Sequence, residues 1–402
     1  MNPNIESLYQ LAKKPTRTII GLMSGTSLDG LDIALCEISG AAKNTTVSLK
    51  EFQTISYSDD IKHEIRNVFA KKNIDFHHLA LLNEWIGILH ANMINDCLKK
   101  WKISSSEIDL IASHGQTVMH LPKILHQQSK FTNATLQIGD GDHIAVHTGI
   151  ITISDFRQKH LAAGGEGAPL AVYGDYFIFG NTEENRIMLN LGGIGNFTFL
   201  PKDQNPELVF VTDTGTGNTL IDAFVQHHFP ELSFDKDAEI ARKGKVNQAL
   251  LFALKDHTFF KEPYPKTTGP ELFNLDYIYE AMQQSKTPQI DVEDVVATLT
   301  RFSAETAAEA ILDAVSKSES KTDDYIIYFS GGGAHNPLLM EYLKELLPYS
   351  FKNTDGLGIT GDAKEAILFA VLANETVSGC PTNFGSKKGI PSITMGKISF
   401  PS

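Results

Sequence analysis

Three short apolar runs open the chain, at residues 17–25 (RTIIGLMSG), 31–38 (LDIALCEI) and 47–55 (VSLKEFQTI). β-branched and aliphatic residues dominate them and polar turns separate them, which predicts a strand meander. Residues 77–101 then set apolar side chains three and four apart, the period of an amphipathic helix. The run IDLIASHGQTV at 108–118 reads as a buried strand ending in a glycine turn.

Past the polar break NTEENR at 181–186 the order restarts with IMLNLGGIGNFTFL, again strand, glycine-rich turn and strand. ELVFVTDTGTGNTLIDAFVQHHF reads as strand, turn and helix, residues 294–318 as a long helix, and DYIIYFSGGGAHNP as strand and turn. Both halves thus begin with a glycine-broken meander and continue through strand–turn–helix units, a pattern of two similar α/β domains. The tail from Ser378 onward, rich in Gly, Ser and Pro, predicts irregular structure.

Composition adds limits. A chain of 402 residues suits two domains, and 42% hydrophobic with 21% charged residues is ordinary for a folded protein. The net charge of −13 argues against nucleic acid or an anionic membrane as partner, while leaving room for a small anion cradled by backbone N–H groups. Three scattered cysteines, Cys36, Cys97 and Cys380, with no CxxC pair fit a reducing compartment. A polar N-terminus and the lack of a long apolar run complete the expectation of a cytoplasmic protein.

Six strand ends carry short polar turns: SGTSLDG, SHGQT, SDFRQ, LGGIGN, DTGTGN and SGGGAHN. Ligands of α/β proteins collect where such ends converge. Glycines let backbone N–H groups point at an anion, and Ser and Thr add donors. Asp29, Asp32 and Asp213 would repel a phosphate unless Mg²⁺ lay between, held directly or through water. His114 and Gln116 would offer hydrogen bonds to a polyhydroxylated ligand, and Asp155, beside Arg157, is placed as a general base.

Other chemistries fit worse. GxxxxGK[ST] is missing and GGIGNF fails GxGxxG, so neither a P-loop nor a Rossmann dinucleotide site is expected. DTGTG has no matching second aspartate turn, as an aspartic protease would need, and no GxSxG elbow occurs. His143 and His147 in HIAVH lack a HExxH glutamate, and the pairs His77–His78 and His227–His228 lack a third ligand, so all are read as structural.

With MSGTSLDGLD, HGQTV, LQIGD, DFR, GAPL, DTGTGN, KTTG and GGGAHNPLL in order from about Thr18 to the end, the chain resembles the anhydro-N-acetylmuramic acid kinases. These belong to the actin, sugar-kinase and Hsp70 superfamily. The resemblance implies two duplicated actin-like (ribonuclease H-like) ATPase domains flanking a nucleotide cleft. Residues 15–182 would form the first, with 373–402 packing back on it, and 183–372 the second. It assigns Gly25, Thr26, Ser27, Leu28, Asp29, Gly30, Leu31 and Asp32 to the first phosphate turn. Asp213, Gly215 and Gly217 match the second, and Gly331, Gly332, Gly333 and Asn336 the adenosine motif.

Asp155 matches the catalytic aspartate, His114, Gln116 and Arg157 stand near the substrate, and Glu365 matches a glutamate close to the sugar. The implied reaction uses ATP and Mg²⁺. It opens the 1,6-anhydro ring of 1,6-anhydro-N-acetylmuramic acid with water and phosphorylates O6, giving N-acetylmuramic acid 6-phosphate in cell-wall recycling. A homodimer is left open. Thr216, Glu166, Ala334 and His335 depart from residues common in the family, and Gln158, Lys159 and His160 stand where further basic residues are frequent. These departures keep a related anhydro-sugar kinase, such as a levoglucosan kinase, and a non-catalytic sugar sensor as rivals.

Overall fold

The structure is a computed structural model describing residues 2–168, 170–318, 324–385 and 390–402. The chain divides into two compact units, Met1–Phe179 with Gly358–Ser402, and Gly180–Leu357. Pro169 of the GAPL motif lies outside the described residues.

In the first unit the strands are β1 (Thr16–Ser24), β2 (Gly30–Ser39), β3 (Thr46–Ser56), β4 (Leu110–Leu121), β5 (Ala134–Ile138) and β6 (Thr152–Ser154). In the second they are β7 (Asn185–Leu191), β8 (Ile194–Leu200), β9 (Phe210–Thr216), β10 (Tyr325–Ser330) and β11 (Ser350–Asn353). A last strand, β12 (Lys397–Ser399), returns to the first sheet.

The first sheet runs β12-β6-β4-β1-β2-β3, with β5 hairpinned onto β4, and the second runs β11-β10-β7-β8-β9. Each has an antiparallel meander whose first strand pairs in parallel with a later one, and that one with the next. Set side by side, β3-β2-β1-β4-β6 and β9-β8-β7-β10-β11 have the same order and directions. That identity is the duplication the resemblance implies.

Alternation along β1 decides what covers it. Ile20 and Leu22 join a buried cluster with Ile86 and Ile94 of the helix Phe76–Trp101. On the opposite face Gly21 admits the helix Lys364–Ser378: a Cβ there would lie 1.9 Å from the Ala366 carbonyl oxygen. The expectation returned only residues from 373 onward to the first lobe, whereas this helix packs on β1 along its length. In the second unit Ala304, Ala307, Ala308 and Ala314 of the helix Val292–Lys317 pack against Ile187, Leu189 and Phe199. Small side chains on that stripe let helix and sheet approach closely.

Local expectations at three places change. HGQT is no turn: β4 continues to Leu121, and a register shift there is accommodated by Gly115 at φ +76°. The second-unit strand likewise continues through Asp213 and Gly215 to Thr216, so only Gly217 and Asn218 form the turn. The tail is not wholly irregular, because β12 pairs antiparallel with β6. Among the described residues no helix is long and apolar enough to cross a membrane.

Candidate active site

The first turn, residues 25–29, joins β1 to β2. Thr26, Ser27 and Asp29 are exposed at its tip, while Leu28, at φ +60°, drives its side chain into the core. A left-handed leucine costs about 1–2 kcal/mol, which burial of its side chain offsets. Leu28 and Leu31, both placed in the cradle by resemblance, are therefore anchors with buried side chains.

Beneath the turn runs a buried chain of polar groups. Gln116 Nε2 donates to the Gly25 and Thr117 carbonyls at 3.1 and 3.0 Å, and Ser24 Oγ donates to Gln116 Oε1 at 2.6 Å. Two carbonyl acceptors fix the orientation of the Gln116 amide, and that fixes the remaining protons. Ser24 spends its hydrogen on Gln116, so Tyr57 Oη donates to Ser24 at 2.9 Å. The 2.7 Å contact of Tyr57 with His90 must then come from His90 Nε2–H. Burial pushes His90 down to about 4, so it stays neutral with Nδ1 bare. Gln116, fully buried, holds the turn and does not present its amide to a ligand.

Parallel register gathers the next residues. Leu22, Ser113 and Ser154 stand side by side on β1, β4 and β6, so His114 and Asp155 occupy equivalent positions one residue further on. Arg157 Nε donates to His114 Nε2 at 2.9 Å, and its Nη1 to the Gly167 carbonyl at 2.6 Å. Burial and the adjacent guanidinium hold His114 down at about 3, neutral and accepting. Burial also lowers Arg157 to about 10, opposed by Glu365, and at that value it remains a cation. Glu365, exposed to solvent near the start of its helix, is raised by partial desolvation against the pull of Arg157 and Lys364.

Asp32 closes the line. Thr54 donates to it at 2.5 Å, yet burial raises its carboxyl, with Asp362 and Asp29 adding repulsion. Asp29, Asp32, Glu365, Arg157 and His114 are thus electrostatically linked in one unit. Asp155 is reached through β12, where Lys397 Nζ forms an ion pair with its Oδ2. His160 turns inward, accepting from the Gly167 N–H at 3.0 Å and meeting Tyr173 edge-on. Position 160 therefore supports the glycine segment from beneath and cannot act on a substrate carboxylate.

In the second unit three glycine turns interlock. Gly217 and Thr219 donate to the Gly193 carbonyl at 2.7 and 3.1 Å, and Asn218 to that of Gly192 at 2.9 Å. A Cβ at Gly217 would sit 2.2 Å from the Gly192 oxygen, and one at Gly331 (φ +88°) 2.7 Å from that of Leu191. Buried Ser303 fixes the assembly by donating to the Gly217 carbonyl at 2.7 Å. Asn336 uses its side chain to cap the helix Pro337–Leu346. Asp213 points instead at the KTTG segment, where Thr268 N–H donates to it, and burial pushes it up to about 6.

Gly192 and Gly193 lie in LGGIGN, one of the six polar turns, but the sequence alone assigns them no role. Their turn joins β7 to β8 and so corresponds, in the duplicated order, to residues 25–29 between β1 and β2. The repeat itself was the available signal, since failure of GxGxxG excludes only a Rossmann site.

The family model described as "Anhydro-N-acetylmuramic acid kinase" matches residues 17–401. An anhydro-N-acetylmuramic acid kinase of Pseudoalteromonas atlantica is 56% identical over 404 residues, covering 100% of both chains. Its namesake from Caldanaerobacter subterraneus subsp. tengcongensis is 38% identical, covering 98% of this chain and 100% of its own. Among solved structures, the activator of 2-hydroxyisocaproyl-CoA dehydratase from Clostridium difficile with bound ADPNP aligns with a TM-score of 0.38 at 12% identity. The alignment covers 90% of this chain and 95% of that one, a likeness too distant to bear on function.

Proposed function

This chain belongs to the anhydro-N-acetylmuramic acid kinase family, and from that premise we propose how its residues carry out the reaction. The protein takes ATP and 1,6-anhydro-N-acetylmuramic acid, opens the anhydro bridge with water and phosphorylates O6. The register that sets Asp155 beside His114 and Arg157, with β4 between its strand and the one that leads into the first glycine turn, is the observation that carries this reading.

The bridge occupies O6, so a simple kinase has no free hydroxyl to use. Asp155 takes a proton from water as the water oxygen bonds to the anomeric carbon. The C1–O6 bond breaks, and O6 accepts the γ-phosphoryl group as ADP leaves. General-base assistance of this kind is worth about 10²–10⁴-fold. Arg157, cationic and held at two points, presents fixed positive charge to the sugar, and Glu365 balances it. Neutral His114 keeps the guanidinium in place without adding a second charge.

Backbone donors at residues 25–29 suit phosphate oxygens in the first unit, as do the turns at 192–193 and 331–333 in the second, while residues 217–219 spend their N–H groups holding the 192–193 turn in place. The repulsion that Asp29 and Asp362 exert on Asp32 is what a cation relieves, so Asp29 and Asp32 are suited to Mg²⁺ or its waters. In the second unit Asp213 has the same need of a counter-charge. Bound Mg²⁺ would neutralise phosphate charge, the main contribution open to a protein in phosphoryl transfer. The cysteine pattern and acidic surface suit a cytoplasmic site of action on a small sugar.

Incubation with ATP, Mg²⁺ and anhydro-N-acetylmuramic acid in ¹⁸O-water should yield a 6-phosphate labelled at the anomeric oxygen. Phosphorylation without label would sink the mechanism, and turnover of levoglucosan alone would transfer the reading to that sugar.

A further inference from the structure

Asp155 stands at the position that caps the helix Phe156–Ala162, yet its side chain makes no capping hydrogen bond. An aspartate there ordinarily accepts from the first backbone N–H groups of the helix. Its backbone is also left-handed, at φ +58° and ψ +42°, a conformation that costs a non-glycine residue about 1–3 kcal/mol where it persists. The carboxylate therefore points away from its local partner, and Lys397 is what it meets.

The path of the tail is built for that meeting. After the helix Lys364–Ser378 the chain returns to lay β12 against β6, with Lys397 opposite Ser154, the residue before Asp155. Gly396 makes the approach possible: at φ +108°, a Cβ there would lie 2.4 Å from Ile153 Cγ2. Ser399 is similarly close to Gly141, where a Cβ would come within 3.2 Å of Ser399 Oγ. The strand is thus fixed on both sides of the lysine, while the lysine side chain itself remains 66% exposed. An ion pair so exposed contributes at most about 1 kcal/mol to stability, too little to account for this construction.

We infer that Lys397 is a positioning residue for Asp155, binding Oδ2 so that Oδ1 is presented to the attacking water. This rests on the reading of Asp155 as the base. Lysine acts through the carboxylate and touches neither sugar nor nucleotide, so its loss should appear in kcat and not in KM.

The test is steady-state kinetics on Lys397→Met, Lys397→Arg and Asp155→Asn in the full chain, with melting curves beside them. Lys397→Met should lower kcat by about 10- to 100-fold, because a carboxylate no longer held by Oδ2 is misaligned with the attacking water during the chemical step. KM for both substrates should hold within about twofold and the melting temperature should not move. Lys397→Arg, which preserves the charge, should recover kcat to within about threefold of the parent. Full kcat in Lys397→Met overturns the inference, as does a rise in KM at unchanged kcat, which would make the lysine a substrate ligand. Asp155→Asn separates the two claims. If it turns over normally the base reading falls and takes this inference with it; if it is inactive while Lys397→Met is unimpaired, only the role of Lys397 falls.

Discussion

Thr268 donates its backbone N–H to Asp213 at 2.8 Å, yet the carboxyl still sits at about 6, because burial outweighs that single hydrogen bond and Glu271 adds repulsion. The folded chain therefore binds this proton more tightly than the unfolded one. The associated stability is present below about pH 4 and is lost as pH rises through about 6, leaving an under-solvated anion at neutral pH. Asp213→Asn should raise the melting temperature at pH 8 and leave it unchanged at pH 4, while turnover falls by about 100-fold with the lost charge. Thermal unfolding at the two pH values checks the first half, and an ADP-release assay the second.

Neutral His90 at the base of the Ser24–Gln116 chain predicts a spectroscopic signature. Its ring should titrate near 4 and carry its proton on Nε2 throughout the range from pH 5 to 8. Nitrogen-15 NMR of labelled histidines distinguishes this tautomer directly. Tyr57→Phe interrupts the chain and should cost about 1–3 kcal/mol in urea unfolding, since Ser24 and His90 lose a buried partner. Nucleotide affinity should weaken with it, because Gln116 is then less firmly held against the Gly25 carbonyl.

Gly217→Ala would place a methyl group 2.2 Å from the Gly192 carbonyl oxygen, a contact neither backbone can relieve without parting. Overpacking of this kind costs about 1–3 kcal/mol, and here it also pries apart two turns assigned to the nucleotide. Titration with a fluorescent ATP analogue should show at least a tenfold loss of affinity, about 1.4 kcal/mol. Binding at parental strength would remove this turn from the nucleotide site.

Arg157→Lys retains the charge but offers a single nitrogen where the guanidinium spans His114 and the Gly167 carbonyl. Lysine should not substitute at a site read by two directed bonds. We expect kcat/KM for the sugar to drop by about 100-fold, most of it in KM, with ATP binding preserved. Steady-state kinetics with each substrate varied in turn decides it.

Much of this is legible in the sequence. Residues 25–32 and 331–333 announce themselves through glycine density beside short polar side chains, and the long helices through their period. Strand ends were harder to read. Asp213 and Gly215 look like turn residues, yet β9 continues through them because its free edge finds Lys266, whose carbonyl accepts from Asp213 N–H. Gln116 reads as a ligand group because nothing local to HGQT reveals that Ser24 and Gly25 consume its amide. The partnership of Lys397 with Asp155 spans 242 positions and leaves no periodic trace at either end. Contacts made between distant segments are decided by topology, and only the duplicated sheet order exposes them.

The close seat of Ala366 over Gly21 bears on how the chain is made. Residues 180–357 form a contiguous unit that can mature while synthesis continues, whereas the first unit needs residues 358–402 to cover one face of β1. β1 through β6 are made well before the helix Lys364–Ser378, and until that helix follows, the apolar face lacks its native cover. A chain truncated before Lys364 should therefore be prone to aggregate and dependent on chaperones, even though every strand of its longer sheet except β12 has been synthesised.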